Sequence, residues 1–160
     1  MKITDIRYYG GARDKIARLG LAHLFLEVQQ IILDTKVFLL EQKDANSGAV
    51  VREALDKGFV DAKDWHPRKT GGIDWTKRLR YNETVLSRIG VEVQVSARSD
   101  LVVRDLVHLR NKLQESEIDI AVIIVPSDRM EVYLPDRYPR FGEAVKYVEH
   151  EFKERCSRLS

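Results

Sequence analysis

Cysteine is almost absent from this chain. Cys156 stands alone among 160 residues, so no internal disulfide forms, and a lone thiol fits a reducing cytoplasm. Long apolar runs are missing too. None has the length of a membrane span, and Met1-Lys2-Ile3-Thr4-Asp5 does not lead into the apolar stretch of a secretion signal. An excess of one charge is also missing: 27 Lys and Arg against 25 Asp and Glu leave a net +2. A strongly basic chain would point to a polyanion by composition alone, whereas here the placement of the charges has to carry that argument. There is no glycine-rich phosphate loop, no Cys-x-x-Cys and no His-Glu-x-x-His. His23, His66, His108 and His150 stand apart and read as surface or packing histidines. Asn82-Glu83-Thr84 matches a glycosylation sequon, which without a secretion signal reads as chance.

What remains is a balanced globular chain. Hydrophobic residues make up 44% and charged residues 32%, enough for one core in a single domain over residues 1–160. No repeat, low-complexity tract or linker interrupts it. Apolar residues at helical spacing from Leu19 to Leu33 predict a buried first helix. Lys36 to Leu40 is apolar and reads as a short strand or a helix extension. Asn46-Ser47 caps a second helix that runs to Lys57 and ends at Gly58. The loop Trp65 to Gly72 is marked irregular by Pro67 and paired glycines. Strands follow over Ile73 to Tyr81 and Ile89 to Val95, then an amphipathic helix over Asp100 to Leu113. The nearly all-apolar Ile118 to Val125 predicts a central strand covered on both faces. A closing helix spans Phe141 to Phe152. The order α-β-β-α-β-α predicts an α/β (α+β) fold, a central mixed sheet with helices on its faces.

The informative cluster is Asn82-Glu83 followed by Glu92-Val93-Gln94. Glu92 and Gln94 lie two apart on a strand and share a face, while Val91, Val93 and Val95 fill the other. Two carboxylates brought close together repel unless a cation lies between them. Mg²⁺ takes oxygen ligands, commonly one or two carboxylates plus water and phosphate oxygens. Spacing alone leaves a second reading open, a solvent-facing strand with ordinary polar residues.

Asn82-Glu83 through Val91-Glu92-Val93-Gln94-Val95 is similar to the active-site hairpin of the BglII-like type II restriction endonucleases, within the PD-(D/E)XK nuclease superfamily. That subgroup carries an acidic residue nine positions before the Glu of a Val-Glu-Val-Gln-Phe strand, with Gln in place of the usual Lys. Here Glu83 stands nine before Glu92, and Gln94 is in register. The first residue is normally Asp, so Glu83 departs from the pattern; Asp74 is the alternative carboxylate. Ile118-Asp119-Ile120 through Pro126 resembles the family's next core strand. Ser96-Ala97-Arg98-Ser99-Asp100 resembles its following loop, and Ile3-Thr4-Asp5, Glu27 and Trp65 fit its opening segments. The chain is shorter than typical members toward the C-terminus.

The resemblance implies Mg²⁺-dependent hydrolysis of double-stranded DNA at a short palindrome, in line at the phosphate, leaving 5′-phosphate and 3′-hydroxyl ends. It implies Glu83, Glu92 and the backbone carbonyl of Val93 as metal ligands, Gln94 as the residue that positions the attacking water, and Glu27 as support from the first helix. A neutral amide cannot act as a general base, so another group must take the proton. Arg68, Lys69, Lys77, Arg78, Ser96 and Arg98 near the site, and Arg137 and Arg140 in a second loop, are candidate DNA contacts. A palindrome matches a twofold homodimer, with the Asp100 to Leu113 helix as its candidate face. Two other readings stay open: a repair or structure-selective nuclease of the same superfamily, and a non-catalytic DNA-binding protein on a degenerate nuclease fold.

Overall fold

The computed structural model describes residues 1–67, 69, 72–96, 98 and 100–156, apart from the side chains of residue 44 and residues 152–156. Three helices come first: α1 (Ala12–Arg18), α2 (Ala22–Asp34) and α3 (Gly48–Asp61). The expected single helix from Leu19 to Leu33 is therefore broken at its start. Gly20, at φ +69°, takes the left-handed conformation that lets the chain turn by 116° between α1 and α2. Residues 36–40 form neither strand nor helix.

Ser47 caps α3 as its sequence implies, its hydroxyl oxygen accepting the Ala49 N–H at 3.2 Å. The helix then runs through Gly58 to Asp61, so that glycine is not a stop. A side chain there would meet Ile31 Cγ2 at 2.9 Å and Thr35 Oγ1 at 3.3 Å; glycine serves the close crossing of α2 and α3.

Among the described residues the sheet has four strands in the order β1 (His66–Pro67), β2 (Trp75–Tyr81), β3 (Thr84–Val93) and β4 (Ile120–Ile124). β2 and β3 pair antiparallel; β3 and β4 pair parallel, joined through α4 (Asp100–Gln114). The sheet is thus mixed, as expected, but β3 is inner and β4 lies at an edge. Residues 121–124 are accordingly only half-buried, and the apolar run does not mark a strand covered on both faces. α5 (Phe141–Cys156) closes the fold.

The chain packs in three layers. Leu24, Val28, Leu55 and Phe59 of α2 and α3 meet Trp65, Trp75, Ile89, Val91 and Val93 on one face of the sheet. The Phe59 ring stacks on Trp75 with centroids 5.3 Å apart and meets Trp65 edge-on at 5.0 Å. On the other face, Val102 and Leu106 of α4 pack with Ala144 and Val148 of α5. Leu109 completes that layer with Ile73 and Ile118.

The hairpin between β2 and β3 sets the register of everything near the strand end. Tyr81 pairs with Thr84 across the two-residue loop Asn82-Glu83, and Arg80 with Val85; the pairing then shifts by one, so that Leu79 faces Ser87 and Trp75 faces Val91. Leu86 is the extra residue of a β-bulge and is 56% exposed.

Candidate active site

One step past the Trp75–Val91 pair, Asp74 comes level with Glu92. Both are buried, at 4% and 3% exposure, on the face that α4 covers. Beyond Trp75 the β2 backbone no longer supplies a partner to Val93, and the Asp74 side chain takes over: its Oδ2 accepts the Val93 N–H at 3.0 Å. Asp74 also shares a hydrogen bond with the Glu92 carboxyl. Two carboxyls this close repel unless a proton or a cation lies between them. Burial pushes the Asp74 carboxyl up, yet the bonds from Glu92, Arg52 and the Val93 amide together hold it below the ordinary carboxylate range.

The third participant is Arg52 of α3. Its Nη2 lies 2.8 Å from Asp74 Oδ1, and its Nη1 donates to the Val93 carbonyl at 2.9 Å. Its Nε donates to Asp56, one turn along the helix, at 2.9 Å, while Asp56 accepts the Trp75 indole N–H at 2.8 Å. Burial pulls the guanidinium down, but its two carboxylate partners outweigh this and push it above its ordinary value. Arg52, Asp74 and Val93 thus form a closed ring of charge-assisted bonds at the end of β3.

Gln94 continues along the same face and is 3% exposed. Its Nε2 donates to Asp105 of α4 at 3.0 Å, and its Oε1 accepts the Ser96 N–H at 3.3 Å. Because a carboxylate cannot donate, Asp105 fixes which way the amide points. His108, one turn further along α4, puts Nδ1 3.6 Å from Glu92 Oε1. A cleft of about 190 Å³ opens beside these groups, lined by Gly48, Ala49, Arg52 and Val93 to Ser96. Gly48 allows α3 to start against the strand: a Cβ there would stand 1.9 Å from the Val95 carbonyl oxygen.

The structure brings Glu92, Gln94 and the Val93 carbonyl together, with Asp74 in place of Glu83. Glu83 sits exposed in the hairpin loop, at the far end of the strand that carries Glu92. Nine residues of extended chain separate them, roughly 30 Å. The spacing matched, but the chain reverses at Asn82, whose φ is +50°, and carries Glu83 away from the site. Glu27 is not at the site either. It bonds Lys77 Nζ at 2.9 Å and Trp65 Nε1 at 3.2 Å, and Lys77 pairs with Ile89, on the opposite face of the sheet from Glu92. Lys77, only 14% exposed, is thereby held as a structural cation, not presented to a phosphate.

Of the other basic candidates, Arg68 lies outside the described residues. Lys69 and Arg78 are exposed. Arg98 is exposed and bound to Asp100 at 2.7 Å. Ser96 is half-buried beside the cleft. Arg137 is exposed, and Arg140 bonds Glu131 at 3.2 Å. The loop carrying them reaches the rim of the same cleft, since the Tyr138 hydroxyl accepts the Gly48 N–H at 3.0 Å. The apolar stripe of α4, proposed as a dimer face, is spent on packing: Val102, Leu106 and Leu109 are all buried within the chain. Sequence reasoning missed Arg52, Asp56, Asp105 and His108. The Arg52–Asp56 pair at helical spacing was the one available signal.

Oxygen atoms dominate the place where Asp74, Glu92 and the Val93 carbonyl meet, and a cationic guanidinium already bridges two of them. This donor set suits a hard divalent ion that takes two carboxylates and completes its shell with water and phosphate. Among the described residues no group of three or more His, Cys, Asp or Glu side chains could hold a metal on its own. No single helix among them is long and apolar enough to cross a membrane.

The chain is similar to known proteins. The family described as restriction endonuclease BglII/BglIII matches residues 5–155. The chain is also 28% identical over 128 residues to the type II restriction enzyme BamHI of Bacillus amyloliquefaciens, which covers 72% of this chain. The match spans only 59% of that enzyme.

Proposed function

Because the chain belongs to the BglII/BglIII restriction endonuclease family, we propose that it hydrolyses phosphodiester bonds of double-stranded DNA at a short palindromic site, with Mg²⁺ as cofactor and a homodimer as the working unit. The observation that carries this reading is the buried Asp74–Glu92 pair at the end of β3, beside the Val93 carbonyl and an open cleft. Asp74, Glu92 and the Val93 carbonyl would hold the ion. When bound, Mg²⁺ supplies positive charge to the phosphoryl oxygens and makes water a better nucleophile.

The chain's own residues do the rest. Gln94, its amide oriented by Asp105, orients the water that attacks phosphorus in line. The bond to the 3′ oxygen breaks, leaving a 3′-hydroxyl and a 5′-phosphate. His108, with Nδ1 3.6 Å from Glu92 Oε1 and partly open to solvent, lies beside the carboxyl from the α4 side. Lys69, Arg78, Arg98, Arg137 and Arg140 would contact DNA, with phosphate contacts setting affinity and its salt dependence. The non-catalytic reading rested on the departure at Glu83. Asp74 beside Glu92 supports the catalytic reading instead.

Digestion of plasmid DNA of known sequence with Mg²⁺, followed by end mapping, tests the proposal. Discrete fragments ending at one palindrome are expected; a smear, or cutting confined to flaps and junctions, indicates the structure-selective nuclease instead. No cutting by the wild-type chain, with Glu92→Ala indistinguishable from it, overturns both.

A further inference from the structure

Arg52 touches two of the three groups that the proposed function assigns to a metal ion, Asp74 at 2.8 Å and the Val93 carbonyl at 2.9 Å. A divalent ion at those oxygens and a guanidinium bonded to them compete for the same lone pairs, and two cations that close repel strongly. The arginine also has somewhere to go. Its Nε bond to Asp56 uses neither Asp74 nor Val93, and Asp56 is itself held by the Trp75 indole. The side chain is 35% exposed, so its tip can move toward the cleft without crossing packed core.

We infer that Arg52 is a built-in counter-cation that occupies the ligands of the metal-free site and withdraws, hinged on Asp56, when a divalent ion binds. This rests on the assignment of Asp74, Glu92 and Val93 as the metal ligands. Docked, the guanidinium keeps the buried Asp74 carboxylate paired and closes the sheet end where β2 has no backbone partner for Val93. Its cost is affinity: a binding-competent state populated for only a fraction of the time weakens apparent binding by that fraction. The arginine thereby makes metal binding conditional, favouring an ion that arrives together with a DNA phosphate able to compensate the displaced charge.

The test is calorimetric titration of the DNA-free protein with Mn²⁺, comparing wild type, Arg52→Gln, Arg52→Lys and Asp74→Asn, alongside thermal unfolding with and without the ion. If Arg52 is docked nine-tenths of the time or more, Arg52→Gln binds Mn²⁺ roughly tenfold tighter than wild type. It also shows the larger Mn²⁺-induced rise in Tm, because the ion replaces the lost guanidinium. Equal or weaker Mn²⁺ binding in Arg52→Gln, with binding lost in Asp74→Asn, overturns the inference and leaves the site assignment standing. Unchanged binding in Asp74→Asn overturns the site assignment itself. Should Arg52→Gln fail to fold without metal, Arg52→Lys decides: a lysine cannot bridge Asp74, Val93 and Asp56 at once, so tighter Mn²⁺ binding is expected there too, and wild-type affinity counts against the inference.

Discussion

The carboxyls of Asp74 and Glu92, 18 positions apart in sequence, are hydrogen-bonded to each other in the interior of the protein, while Glu83, half that distance away along the chain, sits at the opposite end of the hairpin. Substitutions should separate the two candidates cleanly. Groups that merely orient metal ligands are each worth about 10–100-fold in activity, so loss of a ligand should cost at least about 100-fold. Asp74→Asn should therefore lower Mg²⁺-dependent cleavage to that extent, whereas Glu83→Ala should cut at the wild-type rate. Cleavage time courses on one substrate check both, and the reverse pattern would return the role to Glu83.

Acid should expose the same pair through stability. The Asp74 carboxyl is held below its ordinary value in the folded chain, and the unfolded chain titrates near 3.9. The folded state therefore resists protonation more than the unfolded one does. The contribution is complete above about pH 3.9 and is lost as the pH falls below it toward the folded value. Urea unfolding at pH 7 and at pH 3 should show a larger loss of stability for wild type than for Asp74→Asn, which lacks the group. At pH 7 the variant should be less stable, on the order of 2 kcal/mol, smaller than for a fully buried pair because Arg52 is partly solvated. Parallel pH dependence in the two proteins would falsify this account of the pair.

Asp105 accepts the Gln94 amide N–H at 3.0 Å and also lies 3.5 Å from the Arg104 guanidinium. Asp105→Ala should release the amide and reduce cleavage by roughly 10–100-fold, the usual effect of removing a partner that orients a working group. Mn²⁺ binding should stay near the wild-type value, because Asp105 is not among the proposed ligands. A fall in metal affinity equal to the fall in cleavage would place Asp105 in the metal site instead.

Much of the scaffold was legible from pattern. Alternation from Ile89 to Val95 marked the strand and put Glu92 and Gln94 together, and Ser47 marked the start of α3. The helical stripes of α2 and α4 were also visible. The failures have physical causes. Gly58 reads as a stop in sequence, but a packed helix crossing uses it as a gap. The apolar run before Pro126 predicts full burial, yet β4 lies at the sheet's edge. Glu83 matched a spacing, and spacing along a strand counts residues without counting reversals; Asn82, suited to the left-handed conformation of a tight turn, was the clue that the chain doubles back. Arg52, Asp56, Asp105 and His108 come from helices whose approach to β3 depends on tertiary packing, which no local pattern encodes.

The bulge at Leu86 has a consequence for how such a site can vary. Across a two-residue hairpin loop, paired positions differ by an odd number, as Tyr81 and Thr84 do. One extra residue makes the difference even, and only then does Asp74 fall level with Glu92 rather than with Val91, whose side chain points through to the other layer. The site is thus written in parity, not in length. Two residues added to or removed from the hairpin, one on each strand, would preserve the meeting of the carboxylates, whereas a single insertion or deletion would send one of them to the wrong side of the sheet. A fixed count between acidic residues is consequently a poor guide to which of them meet, and the odd or even character of the hairpin is a better one.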